Sequence, residues 1–156
     1  MLNFEIEDAS KALTIARSLK KYQAPFRILG GYRLIDNGIH PEATIQIEAN
    51  GRIIHEASTG NGPVDALAKV LKKALTPLFP EIEDVKLIDY RATIMDAKRG
   101  TSTDVEVTIL FTDGDHVWKV NALSENINSA SFHVLVDGFE YSIFLKRDKL
   151  KKKSGK

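Results

Sequence analysis

The sequence contains no cysteine. This absence excludes disulfide bonds, thiolate nucleophiles and metal sites built from cysteine ligands. It is also typical of proteins from a reducing compartment, where disulfides are rare.

Net charge and long apolar runs are lacking as well. The 156 residues carry a net charge of +1, so no global field attracts nucleic acid. No apolar run approaches the roughly 20 residues of a membrane-spanning helix, and residues 1–9 carry acidic residues instead of a signal-type apolar core. We therefore predict a cytoplasmic protein of one domain, with neither nucleic acid nor membrane as a partner.

An amphipathic helix and a bulged strand are predicted first. Asp8 is a candidate N-cap, and the apolar stripe behind it predicts a helix to about Tyr22. Residues 26–36 follow as a strand, in which Gly30 and Gly31 indicate a bulge.

A hairpin and a second helix come next. Residues 43–49 alternate apolar and polar side chains, which is typical of a half-buried strand. Asn50-Gly51 favours a tight turn into a returning strand, 53–57. Pro63 suits the first position of a helix, and Pro77 predicts its end.

The same order of elements then returns. Strands are predicted at 85–95, 105–111 and 117–120, with Asp113-Gly114 as the hairpin turn. Ser124-Glu125-Asn126-Ile127 leads into a third helix. Its buried side is predicted to consist of Ala130, Val134, Leu135 and Phe139.

Matching residues indicate that the same structural unit occurs twice in the sequence. Leu29-x-x-Tyr32-Arg33 matches Leu87-x-x-Tyr90-Arg91. Tyr32 and Tyr90 are 58 residues apart, whereas Ile45 and its match Ile109 are 64 residues apart. We assign the six extra residues to the loop Ala97 to Asp104. Because a three-stranded sheet with one helix buries only one face, two such units should pack together.

The predicted fold is α+β, with two βββα units related by a pseudo-twofold axis and preceded by an N-terminal helix. This places the two loop-to-helix junctions, near Gly62 and near Asn126, in equivalent positions. The domain boundaries follow: a linker helix at 1–25, a domain at 26–145 with repeats at about 26–80 and 81–145, and a basic flexible tail at 146–156.

The first junction is the stretch Gly60-Asn61-Gly62-Pro63-Val64-Asp65-Ala66. Glycines let backbone N–H groups crowd at a helix N-terminus, which is a ready site for an anion such as a carboxylate. The simpler interpretation is a turn that only starts a helix, with Asp65 placed favourably in the first turn. Two equivalent junctions make a small-ligand site more plausible than one would.

These stretches resemble a known family. The hairpin at Asn50-Gly51, the Gly60 to Ala66 junction and Leu87-Ile88-Asp89-Tyr90-Arg91 are similar to the C-terminal regulatory (allosteric, dimerisation) domain of the 2-isopropylmalate synthase family, most closely its citramalate synthase branch. Ser124-Glu125-Asn126-Ile127 and Leu135 to Tyr141 resemble its final helix. The resemblance spans about 26–141.

The resemblance implies a function and partners. Such a domain forms a homodimer and binds leucine or isoleucine as a feedback effector. It thereby inhibits a catalytic barrel, in cis or in trans, which condenses acetyl-CoA with a 2-oxo acid. The resemblance implies a branched-chain amino acid as ligand, no cofactor in this chain, and a place in leucine or isoleucine biosynthesis.

The resemblance also implies site residues. The ligand's carboxylate and amine would lie among polar groups of both junctions, and its branched side chain against their apolar neighbours. The implied ligand-binding set is Asn61, Gly62, Pro63, Val64, Asp65, Ala66, Asp89, Tyr90, Asn126, Ile127 and Ser129.

Two departures from the family pattern fall in the second junction. The family's Trp-Gly-x-x-Gly run is Trp118-Lys119-Val120-Asn121-Ala122 here, without glycine. Ser129 stands where the family has an acidic residue. The departures favour an alternative: a ligand-free structural dimerisation module, or a free-standing relative that acts in trans.

An enzyme or a nucleic-acid binder is the third hypothesis. The four histidines, His40, His55, His116 and His133, show no helical metal-binding spacing, so we predict no metal site and no catalytic residue in this chain. No Gly-x-Ser-x-Gly motif surrounds a serine. The basic tail from Lys146 lacks an aromatic platform for bases, which favours a solvated terminus. Trp118 is expected to pack on a sheet face.

Overall fold

The computed structural model describes residues 5–95 and 104–154. The elements, in chain order, are β1 (Ile6–Asp8), α1 (Ala9–Ser18), β2 (Arg27–Ile35), β3 (Glu42–Ala49), β4 (Arg52–Thr59), α2 (Pro63–Leu75), a short 3-10 helix (Pro80–Asp84), β5 (Lys86–Met95), β6 (Asp104–Thr112), β7 (Val117–Ser124) and α3 (Ile127–Ser154). The loop Ala97 to Asp104, where we assigned the extra residues of the second unit, lies outside the described residues except for Asp104.

The two βββα units are confirmed. One antiparallel sheet has the order β2-β3-β4 and carries α2, while the second has the order β1-β7-β6-β5 and carries α3. The matching residues take matching places, since Tyr32 lies opposite Ile45 and Tyr90 opposite Ile109. α2 and α3 pack against each other, so one apolar core joins both units.

Local turn chemistry explains the first sheet. Asn50 and Gly51 both have positive φ, 52° and 74°, as a tight hairpin between twisted strands requires. The β2–β3 register shifts between Leu29 and Tyr32, which confirms the bulge at Gly30 and Gly31. In β3 the apolar side chains that alternate along the strand are buried, as predicted: Ala43, Ile45, Ile47 and Ala49.

Helix α2 begins and ends where the prolines indicate. Gly62 is its N-cap and Pro63 takes the first helical position, where its missing N–H costs nothing. The helix ends at Leu75, two residues before Pro77. Pro80 takes the first position of the 3-10 helix that leads into β5.

The N-terminal segment differs from the prediction in two ways. Residues Ile6–Asp8 form β1, a strand that we did not predict, and it pairs in parallel with β7. Asp8 is the N-cap of α1, as expected, and accepts a hydrogen bond from the Lys11 N–H. The helix ends at Ser18 instead of near Tyr22, because Leu19 is already in an extended conformation.

Helix α3 continues beyond the predicted domain boundary. The four residues predicted on its buried side are buried, with exposures of at most 1%. The helix then runs on through Lys146 to Ser154, within the interval 146–156 that we expected to be a flexible tail. The basic side chains of that interval therefore project from a helix, with Lys152 and Asp148 paired at 3.4 Å.

Candidate functional site

The loop between β4 and α2 forms the first junction. Gly62 has an extended backbone and, as a glycine, offers no side chain to cap the helix. Its carbonyl accepts the Ala66 N–H at 2.9 Å, the first hydrogen bond of α2. The N–H groups of the first turn of α2 thus receive no acceptor from their N-cap side chain, and they carry the positive end of the helix dipole.

Asp65 closes this loop from the helix side. Its carboxylate accepts the Asn61 N–H at 2.9 Å and forms an ion pair with Lys69 at 3.0 Å. Burial alone would raise the pKa of Asp65, but the hydrogen bond from Asn61 and the Lys69 ammonium outweigh it and lower the pKa. The group is therefore a carboxylate at neutral pH, beside the open helix start.

Gly60 is needed for a close contact. The residue is buried, and its N–H donates to the Pro41 carbonyl at 3.0 Å. A Cβ added at Gly60 would overlap the backbone of Ala66, which cannot move without shifting α2. The sequence suggested conformational freedom for this glycine, whereas the structure uses it to press the loop against the helix.

The second junction is closed by its own side chains. The Asn126 carboxamide oxygen accepts the N–H groups of Asn128 at 2.8 Å and Ser129 at 3.1 Å, so Asn126 caps α3. Ser124 in turn accepts the Asn126 N–H. The matching positions Gly62 and Asn126 therefore differ in a way that matters for anions: the first helix start has no side-chain cap, and the second has one.

Two tyrosines in matching places reach the same helix. The Tyr32 hydroxyl lies 2.9 Å from the Ser129 hydroxyl, and the Tyr90 hydroxyl lies 2.9 Å from that of Ser131. The Tyr32 ring also packs on Phe132, with ring centroids 4.8 Å apart. Since Tyr32 belongs to the first unit and α3 to the second, this contact joins the two units directly.

Tyr32→Phe is expected to lower the free energy of unfolding by about 1 kcal/mol, because one half-buried hydrogen bond to Ser129 is lost while the ring contact remains. The measurement is chemical denaturation of the single and double variants. Ser129→Ala should cost a similar amount in the wild type and little in the Tyr32→Phe background. Full additivity of the two losses would contradict a direct bond.

The predicted site residues are brought together in two separate groups. One is the Asn61–Asp65 group at α2, and the other is the Asn126–Ser129 group at α3. Asp89 belongs to neither, since it pairs with Arg91 at 3.0 Å on β5. Within residues 5–95 and 104–154, no hydrogen bond or ion pair links the two junctions.

The predicted apolar contacts differ in exposure. Ala66 is fully buried in the core, and Val64 is half-buried against it. Ile127 and Tyr90 are exposed at 43% and 37%. Ile127 and Tyr90 therefore face solvent, whereas Ala66 belongs to the core.

Three concavities on the surface of the described residues contain no predicted site residue. A small one of about 200 Å³ lies beside the Gly30-Gly31 bulge, and another of about 370 Å³ lies beside Phe26. A groove of about 790 Å³ lies between α1 and the end of α3.

A charged cluster between α1 and α3 was not anticipated. The Arg17 guanidinium lies 2.7 Å from Asp137 and 3.2 Å from Glu140. The Tyr22 hydroxyl donates to Glu140 at 2.6 Å, and His133 lies 3.4 Å from Asp137. The available signal was the placement of Asp137 and Glu140 beside Phe139, within the apolar stripe of α3, where acidic side chains need partners.

The cluster shifts the ionisation of its members. For Asp137, burial alone would raise the pKa, but hydrogen bonds from His133 and Arg17 and the Arg17 charge outweigh it and lower the pKa. The hydrogen bond to Asp137 raises the pKa of His133. Burial and the bond to Glu140 raise the pKa of Tyr22. Asp137 is thus held as a carboxylate by its neighbouring donors.

The remaining histidine contact is structural in character. His116 lies 2.9 Å from Glu7 of β1, and Glu7 also accepts the Tyr141 hydroxyl at 2.7 Å. These contacts hold β1 between β7 and α3. Within the described residues, no group of three histidine or carboxylate side chains could hold a metal ion.

Trp118 packs on the inner face of the second sheet, as expected. It is fully buried, and its indole N–H donates to the Gly138 carbonyl at 3.0 Å. Among the helices of residues 5–95 and 104–154, none combines the length and the apolar character needed to cross a membrane.

Comparison with known proteins gives concordant matches. The family model of the LeuA allosteric (dimerisation) domain matches residues 5–143. The (R)-citramalate synthase of Geobacter sulfurreducens is 38% identical over 146 residues, that of Aquifex aeolicus 37% over 146, and that of Synechocystis sp. 34% over 151. These alignments cover 90–91% of this chain but only 27–28% of each relative, so the chain spans about a quarter of the relatives' length.

Proposed function

Because the chain belongs to the LeuA allosteric (dimerisation) domain family, we propose that it is the regulatory part of a synthase of the citramalate or isopropylmalate type. The observation that carries this proposal is the family match over residues 5–143, together with relatives that are (R)-citramalate synthases. In this proposal the chain forms a homodimer, binds a branched-chain amino acid, and acts on an acetyl-CoA-dependent catalytic barrel in cis or in trans.

The proposed ligand site centres on the start of α2. Its uncapped N–H groups suit the carboxylate of an amino acid, and the Asp65 carboxylate suits the ammonium group. Val64 and the exposed Ile127 and Tyr90 would meet the branched side chain. The already capped Asn126 junction would contribute shape and apolar contact, and Asp89 would serve as a second carboxylate for the amine if Arg91 releases it.

A second chain would complete this site. These residues line none of the three concavities described above, and two of the apolar members, Ile127 and Tyr90, are exposed. A ligand held between two protomers would stabilise one arrangement of the dimer. It would bias the catalytic part only if its affinity differs between the two arrangements.

The test is thermal unfolding of this chain with leucine, isoleucine, valine and, as a control, alanine. At a concentration ten times Kd, one branched-chain amino acid should stabilise the chain by about 1.4 kcal/mol, which corresponds to a rise in Tm of about 3–6 °C. Asp65→Asn should abolish the shift. Asp84→Asn, which alters an exposed acid on the 3-10 helix, should preserve it.

A ligand-free dimerisation module is the second candidate. The observation that favours it is that the α3 junction already has its own partners. Asn126 caps the helix, and the Ser129 hydroxyl forms a hydrogen bond with the Tyr32 hydroxyl. This candidate predicts a stable dimer by light scattering and no change of Tm with any of the four amino acids. That pair of results would overturn the ligand-binding proposal.

A further inference from the structure

The groove between α1 and the end of α3, here called the α1–α3 groove, lies apart from both junctions. It measures about 790 Å³ and is bounded by α1, the segment that follows it, and the last turns of α3.

One wall of the groove is an apolar stripe left partly bare. Ala12, Ile15 and Leu19 recur every three or four residues, so they share one face of α1 and the turn after it. Ile15 is 55% exposed and Leu19 61%, although α1 buries Leu13 and Ala16 against the rest of the chain. The apolar surface of α1 and the turn after it is therefore wider than the face that packs against the rest of the chain.

The opposite wall is a parallel stripe on α3. Phe144, Arg147 and Lys151 follow at helical spacing and line the same groove. The Arg147 guanidinium donates to the Gln23 carbonyl at 3.0 Å, which fixes the segment after α1 against α3. This hydrogen bond connects the segment after α1 to the α3 wall of the groove.

The rim of the groove is basic. Lys21, Arg147 and Lys151 face one acid, Asp148, and that acid pairs with Lys152 at 3.4 Å. Among the ion pairs of residues 5–95 and 104–154, none involves Lys21 or Lys151. An occupant that carries acidic groups beside an apolar stripe would complement this rim.

We propose that the α1–α3 groove binds an amphipathic helix of a partner segment, with an apolar stripe against Ile15, Leu19 and Phe144 and acidic residues toward Lys21 and Lys151. Helices pack with their axes about 8–10 Å apart, and a helix in a groove anchors through residues spaced by three, four and seven. A small ligand would leave the outward faces of Ile15 and Leu19 in water, whereas a third helix covers both.

The test uses a fluorescein-labelled 15-residue peptide with leucines on one helical face, glutamates beside them and alanines elsewhere. Fluorescence anisotropy with the full chain should show saturable binding that weakens as salt rises, because the rim charges are screened. A scrambled peptide and a peptide with lysines in place of the glutamates should each bind at least tenfold more weakly.

Matched variants locate the binding. Ile15→Asp should weaken peptide binding at least tenfold, and Ile53→Asp, on β4 at 65% exposure, should leave it unchanged. Lys151→Glu should weaken the binding of the glutamate peptide and strengthen the binding of the lysine peptide. Both aspartate substitutions are at exposed positions. A circular dichroism spectrum identical to that of the wild type is the control that each variant folds.

Three results would overturn the proposal. They are no binding of the peptide, equal affinity for the peptide and its scrambled form, and binding of a fatty acid in the groove without any binding of the peptide. Loss of self-association in Ile15→Asp, without any peptide binding, would assign the groove to a second copy of the chain. Because the amino-acid response is measured at α2, either proposal can fail while the other stands.

Discussion

Gly138→Ala is expected to lower the free energy of unfolding by about 2 kcal/mol. Gly138 is buried within α3, and a Cβ there would overlap the ring of Phe111. That ring is fully buried, stacked on Trp118 at 6.0 Å and set edge-on to Phe139. Overpacking of this kind costs about 1–3 kcal/mol, and we expect a severe overlap to exceed the gain of up to about 1 kcal/mol that alanine brings to a helix.

Chemical denaturation, followed by the fluorescence of the single tryptophan, measures this loss. Phe111→Leu in the Gly138→Ala background should recover part of it, because the smaller side chain makes room for the new methyl group. Gly62→Ala is the control, since nothing lies within 4 Å of its added Cβ. An alanine variant as stable as the wild type would show that the ring can move aside.

Arg17→Met is expected to cost about 2 kcal/mol at pH 7, because it leaves two carboxylates without their shared cation. The Asp137 and Glu140 side chains are only 11% and 5% exposed. Removing one partner of a fully buried pair costs about 3–5 kcal/mol, and we expect less here since Arg17 is 41% exposed. Arg91→Met, which breaks an exposed pair with Asp89, should cost no more than about 0.5 kcal/mol.

The pH dependence gives this second prediction a sign. The Asp137 pKa is lowered in the folded state, so its contribution is present above the ordinary carboxyl pKa and is lost as pH falls through the folded value. The His133 pKa is raised, so its contribution is present below its ordinary pKa and is lost as pH rises through the folded value.

The difference between wild type and Arg17→Met should therefore shrink as pH is lowered from 7 to about 3, where protonation removes the need for the arginine. Urea denaturation at four or five pH values follows it. An unchanged difference down to pH 3 would mean that Arg17 acts through its aliphatic packing, and would contradict the electrostatic account.

The repeat and its hairpins could be predicted because their signals are local. Asn50-Gly51 determines a hairpin by backbone conformation alone, and the alternation along β3 determines which face is buried. The match of Tyr32 with Tyr90 carried the prediction from one unit to the other. Both tyrosines indeed take matching positions in their sheets.

The remaining features depend on contacts between distant parts of the chain. β1 is a strand because it pairs with β7, more than a hundred residues away, and three residues carry no periodic signal of their own. The Arg17 cluster likewise joins α1 to α3. No local pattern ends α3 at Lys146, since the residues there are good helix formers.

The candidate site was predictable in part. The two helices start near Gly62 and Asn126, as the two units suggested, and these residues are their N-caps. The sequence could not indicate that the α3 junction has side-chain partners for its polar groups whereas the α2 junction has no side-chain cap. That difference depends on the partners of Asn126 and Ser129. The ligand set itself stays a prediction, and the amino-acid titration tests it.

The two tyrosine–serine bonds have a mechanical consequence. Ser129 and Ser131 are two residues apart on a helix with about 3.6 residues per turn, so they point about 200° apart around the axis. Tyr32 and Tyr90 therefore grip α3 from opposite sides, one from each sheet. Rotation of α3 about its own axis would break both hydrogen bonds, so only a movement of α3 that carries both sheets with it, as a tilt or a slide, keeps them intact.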